Sequence, residues 1–198
     1  MMRRVLSGMA SCVLLAILAG CVTTSPPVSY IQLSDKSVSP GSSPSPRVML
    51  DAVVVPDFLL RNELLIRVDE HRLRYNTSAR WAEPVDIGVQ RVLTARLSAA
   101  LDSYAVFSFP DSHSGILDWR VDIAVRNFEA IGEDVVLTAD VQLHPREGRT
   151  AIIERFDARK RLSSLDPAVV AAGLSALLGQ LADGIAARIQ AAEGATTN

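Results

Sequence analysis

Asp111, Ser112 and His113 stand together in the stretch DSHSG, and they are the residue types of nucleophilic acyl transfer. A working triad draws its groups from separated segments and holds the nucleophile on a constrained turn. Neighbours in one loop do not supply that arrangement, and no G-x-S-x-G motif is present. The stretch reads as a polar turn between strands. His71, His113 and His144 fall in or near three expected turns, and no pair has metal-ligand spacing such as i, i+4 on a helix. There is no Walker lysine loop and no glycine-rich dinucleotide fingerprint. Asp69-Glu70 and Glu133-Asp134 are turn carboxylates expected in solvent. The residues therefore predict no catalytic group, no metal and no cofactor. A hydrolase built on Ser112 and His113 stays as the reading to be eliminated by alanine substitution.

The two cysteines, Cys12 and Cys21, carry a different chemistry. Arg3 and Arg4 precede an apolar run ending at Val13–Leu18, too short to cross a hydrocarbon core that needs about 20 apolar residues. A basic head, a short apolar middle and small residues at the exit form an export signal. Leu18-Ala19-Gly20-Cys21 reads as a lipobox, with Cys21 acylated and first in the mature chain. One acyl chain holds only marginally, so durable anchoring implies more than one. Val22, where an Asp would favour inner-membrane retention, points to the periplasmic face of the outer membrane. Removal of Cys12 and capping of Cys21 exclude thiol catalysis, thiolate metal sites and disulfides together.

The expected organisation is a signal peptide over 1–20, an acylated Cys21 with a flexible Ser/Pro-rich tether over 21–46, one domain over 47–193 and a disordered tail over 194–198. Loss of Arg3 and Arg4 takes the formal charge from −2 to −4, which makes nucleic acid an unsuitable partner. Tether residues 22–46, fully stretched, would span at most ~80 Å. Tyr30-Ile31-Gln32-Leu33 interrupts it as a docked strand. No second apolar run reads as long enough to cross a membrane.

Periodicity supplies the elements that would carry any site. RVMLDAVVVP is β-rich and stops at Pro56; ELLIRVD and RLRYNTSARW flank a turn near Glu70-His71; YAVFSFP is a short strand. Leu117, Trp119, Val121, Ile123 and Val125 alternate with charged residues, as do Val135, Leu137, Ala139, Val141 and Leu143 with polar ones. RTAIIERFDARKRL is the next neighbour, its parity open. A helix from about Pro84 to Ser103 has the stripe Val89, Leu93, Leu97, Ala100, Leu101. A second opens on Asp166-Pro167 and aligns Val170, Leu174, Leu177, Leu178, Leu181, Ile185 and Ile189. The fold class is α+β: a single domain, a mostly antiparallel sheet with two amphipathic helices packed on one face. Between strands, PDFLLRNE groups Phe58, Leu59 and Leu60, an apolar connection that is either an interaction surface or a loop tucked into the core.

At SARWAEPVDIGVQRVLTARLSAAL, with the lipobox, YIQL and VVVPDFLLRNELLIR, the chain resembles the ABC-type transport auxiliary lipoproteins, PqiC-like proteins of MCE lipid-transport systems. Trp81-Ala82-Glu83-Pro84 before the helix is the most specific element. Tyr30 and Leu33 match the family's N-terminal pattern, and Arg61 and Arg67 match arginines around its second strand. Phe58-Leu59-Leu60-Arg61-Asn62 departs from the family's Tyr-Leu-Asp-Arg-Pro and makes the loop more apolar. The resemblance implies a non-catalytic accessory that docks on or caps a periplasmic MCE-domain conduit, with a homo-oligomeric ring among its forms. Under the interaction-surface reading of the apolar connection, Phe58, Leu59, Leu60 and Arg61 are the candidate partner contacts. Trp81 is read as a core anchor where strand meets helix, with partner contact as the alternative. The competing function is a periplasmic lipid-binding carrier or outer-membrane assembly lipoprotein, which needs an apolar cavity.

Overall fold

The computed structural model describes residues 27–35, 39–111, 115–146 and 150–195. Among them run β1 (Ser29–Ile31), β2 (Val48–Leu50), β3 (Glu63–Arg67), β4 (Leu73–Trp81), α1 (Val85–Ala100), β5 (Val106–Ser108), β6 (Trp119–Ile131), β7 (Asp134–Pro145), β8 (Ile152–Arg161) and α2 (Pro167–Gly194). Cys21 and the lipobox lie outside the described residues, as do Ser112 and His113.

All eight strands join one sheet, and its centre is the hairpin of β6 and β7. Trp119, Val121, Ile123 and Val125 of β6 and Val135, Leu137, Ala139, Val141 and Leu143 of β7 are buried, as their alternation predicts. A bulge after Val125 shifts the β6 register, so the buried set resumes at Phe128 and Ala130. β8 pairs antiparallel with β7 at one edge. Its parity is settled by burial: Ile152, Glu154, Phe156 and Ala158 are half-buried, while Ile153, Arg155, Asp157 and Arg159 are exposed.

The other flank of β6 is patched from short pieces. β2 runs parallel to its first half, Val54 bridges to Ala124, and β3 runs parallel to its end at Ala130 and Ile131. β3 and β4 form the expected antiparallel hairpin; β5 adds parallel to β2 and β1 parallel to β4. The long ladders are thus antiparallel and the short ones parallel, which makes the sheet mixed. RVMLDAVVVP is a strand only over Val48–Leu50. Beyond it, Asp51 N–H donates to Val121 O of β6, and Val54 accepts from Val125 and donates to Ile123.

Both helices cover one face. Asp166 caps α2 by accepting from the Ala168 amide at 2.9 Å, and Pro167 opens it. Val170, Leu174, Leu177, Leu178, Leu181, Ile185 and Ile189 are at most 1% exposed. Each such side chain is worth about 1.5–3 kcal/mol of transfer free energy. Gly173 lets the helix approach closely, since a Cβ there would sit 2.7 Å from Leu162 Cδ2 and 2.9 Å from Val135 Cγ2. By length and composition α2 could cross a membrane, a run that its interspersed small residues conceal in the sequence. Here 61% of its most apolar window is buried inside the domain, as expected of a core helix that is apolar on most sides. α1 packs beside α2 and buries Val85, Val89, Val92, Leu93 and Leu97.

The Ser/Pro-rich stretch is held more firmly than its composition suggests. Tyr30 and Ile31 pair with Arg80 and Trp81, and Leu33 is 2% exposed. Residues 39–46, expected within the tether, fold back on the end of α1. The Ser42 amide and hydroxyl donate to the Asp102 carboxylate at 2.8 and 3.0 Å, and Ser43 N–H donates to Asp102 O. At Gly41 a Cβ would lie 2.0 Å from Ser103 N, so only glycine fits. Specific backbone bonds, which composition does not encode, override the linker character of these residues.

Candidate functional site

The groups with chemical potential resolve into ion pairs. His144 Nε2 lies 2.9 Å from Asp122 Oδ2 on the sheet face opposite the helices. Burial raises the Asp122 carboxyl above the ordinary range, and neighbouring Asp51 adds to it. Asp51 is held by the Arg120 guanidinium at 2.7 Å. His71 Nε2 stands 3.9 Å from Glu70 in the β3–β4 turn. Among the described residues no three His, Cys, Asp or Glu side chains group to hold a metal ion. The turn carboxylates are paired, not merely solvated. Glu133 meets Arg161, and Asp134 meets Arg159 and Arg161 at 3.6 and 3.8 Å. Asp69 is held below its usual range by the Arg72 side chain and the His71 amide.

The apolar connection splits between core and surface. Asp57–Leu59 form one 3-10 turn that tucks Leu59 in at 4% exposure and half-buries Phe58. Leu60 is 45% exposed. Arg61 extends over the Tyr75 ring, 4.6 Å from its centroid, and the Tyr75 hydroxyl donates to Phe58 O at 3.2 Å. Trp81 N–H donates to Asn62 O at 2.6 Å, closing the loop against the end of β4. The Trp81 side chain is 7% exposed and belongs to the core. Of the five residues expected to touch a partner, Phe58 and Arg61 meet through Tyr75, which the expectation did not include, and Leu60 follows them in the chain. Leu59 and Trp81 are core residues and present almost no surface.

Two charge clusters escape a reading by spacing. Arg91 on α1 donates to Glu83 Oε1 at 2.7 Å and to the Leu33 carbonyl at 2.8 Å, and lies 3.4 Å from Asp35. Gln32 donates to the same Glu83 oxygen at 3.2 Å. The Arg91 guanidinium holds the Glu83 carboxyl below the ordinary range, and Glu83 raises Arg91 in turn. Ser34 N–H donates to Ser175 Oγ at 3.0 Å, so the entering chain is tied to both helices. Between β3 and β6, Arg67 grips Glu129, whose side chain is fully buried.

The groove of about 730 Å³ on the outer sheet face is open and lined by Val54, Asp122, Arg126, Asp140 and Arg155, among others. Arg126 and Arg155 both reach Asp140 at 2.7 Å. Apolar Val54, Ile123 and Ile153 share the lining with these ion pairs.

A mixed eight-stranded sheet with two helices on one face, entered by a clamped N-terminal strand, defines an α+β domain. The chain belongs to the family of ABC-type transport auxiliary lipoprotein components, whose pattern it matches over residues 32–186. A crystal structure of an uncharacterized protein is 20% identical, with 82% of this chain and 99% of that one covered at a TM-score of 0.69. A Xanthomonas campestris protein is 17% identical, with 86% and 100% covered at a TM-score of 0.66. At these identities the likeness is one of fold. None of the curated proteins compared matches the chain.

Proposed function

We propose that the protein is an outer-membrane-anchored accessory of an MCE/ABC-type lipid-transport system, held by acyl chains on Cys21 and docked on or capping a periplasmic MCE-domain protein. The membership over residues 32–186 carries this reading. The ion-paired state of the titratable side chains supports a role in binding over one in turnover. The docking patch is Leu60 and Arg61, backed by Phe58 and Tyr75. Leu60 supplies an exposed apolar contact and Arg61 a cation pre-oriented by its ring contact. The test is co-purification with the MCE-domain protein and its loss when this patch alone is made polar. Retention of the partner by a folded patch variant rejects the patch. Failure of the parent chain to capture any MCE-domain protein rejects the function.

A further inference from the structure

β8 is a ten-residue strand whose only neighbour among the described strands is β7. An open edge of that length is a template for another strand. The ladder fixes which groups it offers. Leu162 N–H donates to Glu133 O, so even-numbered residues here turn their backbone groups toward β7. The N–H and C=O of Ile153, Arg155, Asp157 and Arg159 therefore point outward.

We propose that this edge pairs antiparallel with β8 of a second copy, about a two-fold axis at Phe156. A two-fold axis perpendicular to the sheet keeps both helix layers on one side and pairs residues of like parity. Centred on Arg155, the register opposes arginine to arginine. Centred on Asp157, it opposes Asp157 to itself and Arg155 to Arg159. Centred on Phe156, it sets Arg155 opposite Asp157 twice, Ile153 opposite Arg159 and Phe156 opposite Phe156, with no like charges facing. Arg155 and Asp157 are directly opposed outward-pointing residues in this register, so each such pair exchanges two backbone bonds. Their exposed side chains already lie flat along the sheet face, Arg155 on Asp140 and Asp157 accepting from Thr138 Oγ1 at 2.8 Å. Phe156, half-buried and packed on the core, gains its symmetry mate as cover.

Sedimentation of the full-length chain in detergent micelles tests this, with Asp157→Pro as the blocking variant. Proline there removes an outward donor and spares the bonds to β7. The parent is expected as a dimer and the variant as a monomer of similar melting temperature. Phe156→Cys reports the register independently, because opposed positions lacking mutual backbone bonds lie within disulfide reach. Mild oxidation should cross-link Phe156→Cys well above Ile153→Cys and the parent. A monomeric parent, a dimer indifferent to Asp157→Pro, or equal cross-linking at 153 and 156 would each overturn the pairing. So would an edge that captures only a strand from a different protein.

Discussion

Arg67 holds Glu129 with two nitrogens, Nε at 2.6 Å from Oε1 and Nη2 at 3.2 Å from Oε2, where β3 runs beside β6. Removing one partner of an ion pair buried this completely is far more damaging than removing both. Arg67→Met leaves the Glu129 charge uncompensated and should cost about 3–5 kcal/mol in urea unfolding. Replacing both residues, as Arg67→Met with Glu129→Leu, should recover most of that loss. A single variant as stable as the parent would show that the pair does not bear on folding.

Acid should loosen the N-terminal clamp before the core. Glu83 is depressed in the fold, chiefly by Arg91, from an ordinary value near 4.5. Its contribution is therefore present above pH 4.5 and lost as pH falls through the lower folded value. Amide exchange at Ile31 should quicken over that acidic window, and Glu83→Gln should flatten the dependence while exchanging faster at neutral pH. Asp122 has the opposite sign: its raised value means its contribution is greatest below about 3.8 and declines as pH rises through the folded value.

Two glycines of α2 should respond in opposite directions. Gly184 has no atom within 4 Å of an added Cβ, so Gly184→Ala should stabilise by about 0.5–1 kcal/mol through helix propensity. Gly173→Ala meets stiff, β-branched Val135, and overpacking of about 1–3 kcal/mol should outweigh the same propensity gain. Thermal melts of the two variants side by side decide the matter.

Leu60→Asp with Arg61→Glu should abolish capture of an MCE-domain partner while the melting temperature stays within a few degrees, because both side chains are exposed. Trp81→Ala should instead lose about 3–5 kcal/mol of stability. Selective loss of the partner by a fully stable Trp81→Ala protein would move the contact to that residue.

The long amphipathic pieces were legible because each carries its period over many residues. The alternation of β6 and β7 and the stripe of α2 read correctly from side-chain order alone. Ala100 is a weaker member of the α1 stripe, being only half-buried, and Leu117 falls just before β6. The short parallel strands were not legible: three residues such as Val48–Leu50 or Val106–Ser108 have no period, and partners fix them. The clamp hid for a related reason. Glu83 and Arg91 are eight positions apart. Gln32 lies on the short docked piece and Asp35 just after it, and neither position says which charged group it will meet. Of the docking residues, the sequence grouped Phe58, Leu59 and Leu60 but could not divide them, since the division follows the 3-10 turn. Tyr75, which orients Arg61, had no signal beyond its place in a hairpin.

The docking of β1 sets how far this domain can roam. With Cys21 acylated as proposed and Ser29 already in the sheet, residues 22–28 separate the two, a distance of at most roughly 25 Å by backbone geometry. The body is then a fixture on its bilayer, and a partner rooted in the opposite membrane must itself supply the length that crosses the gap.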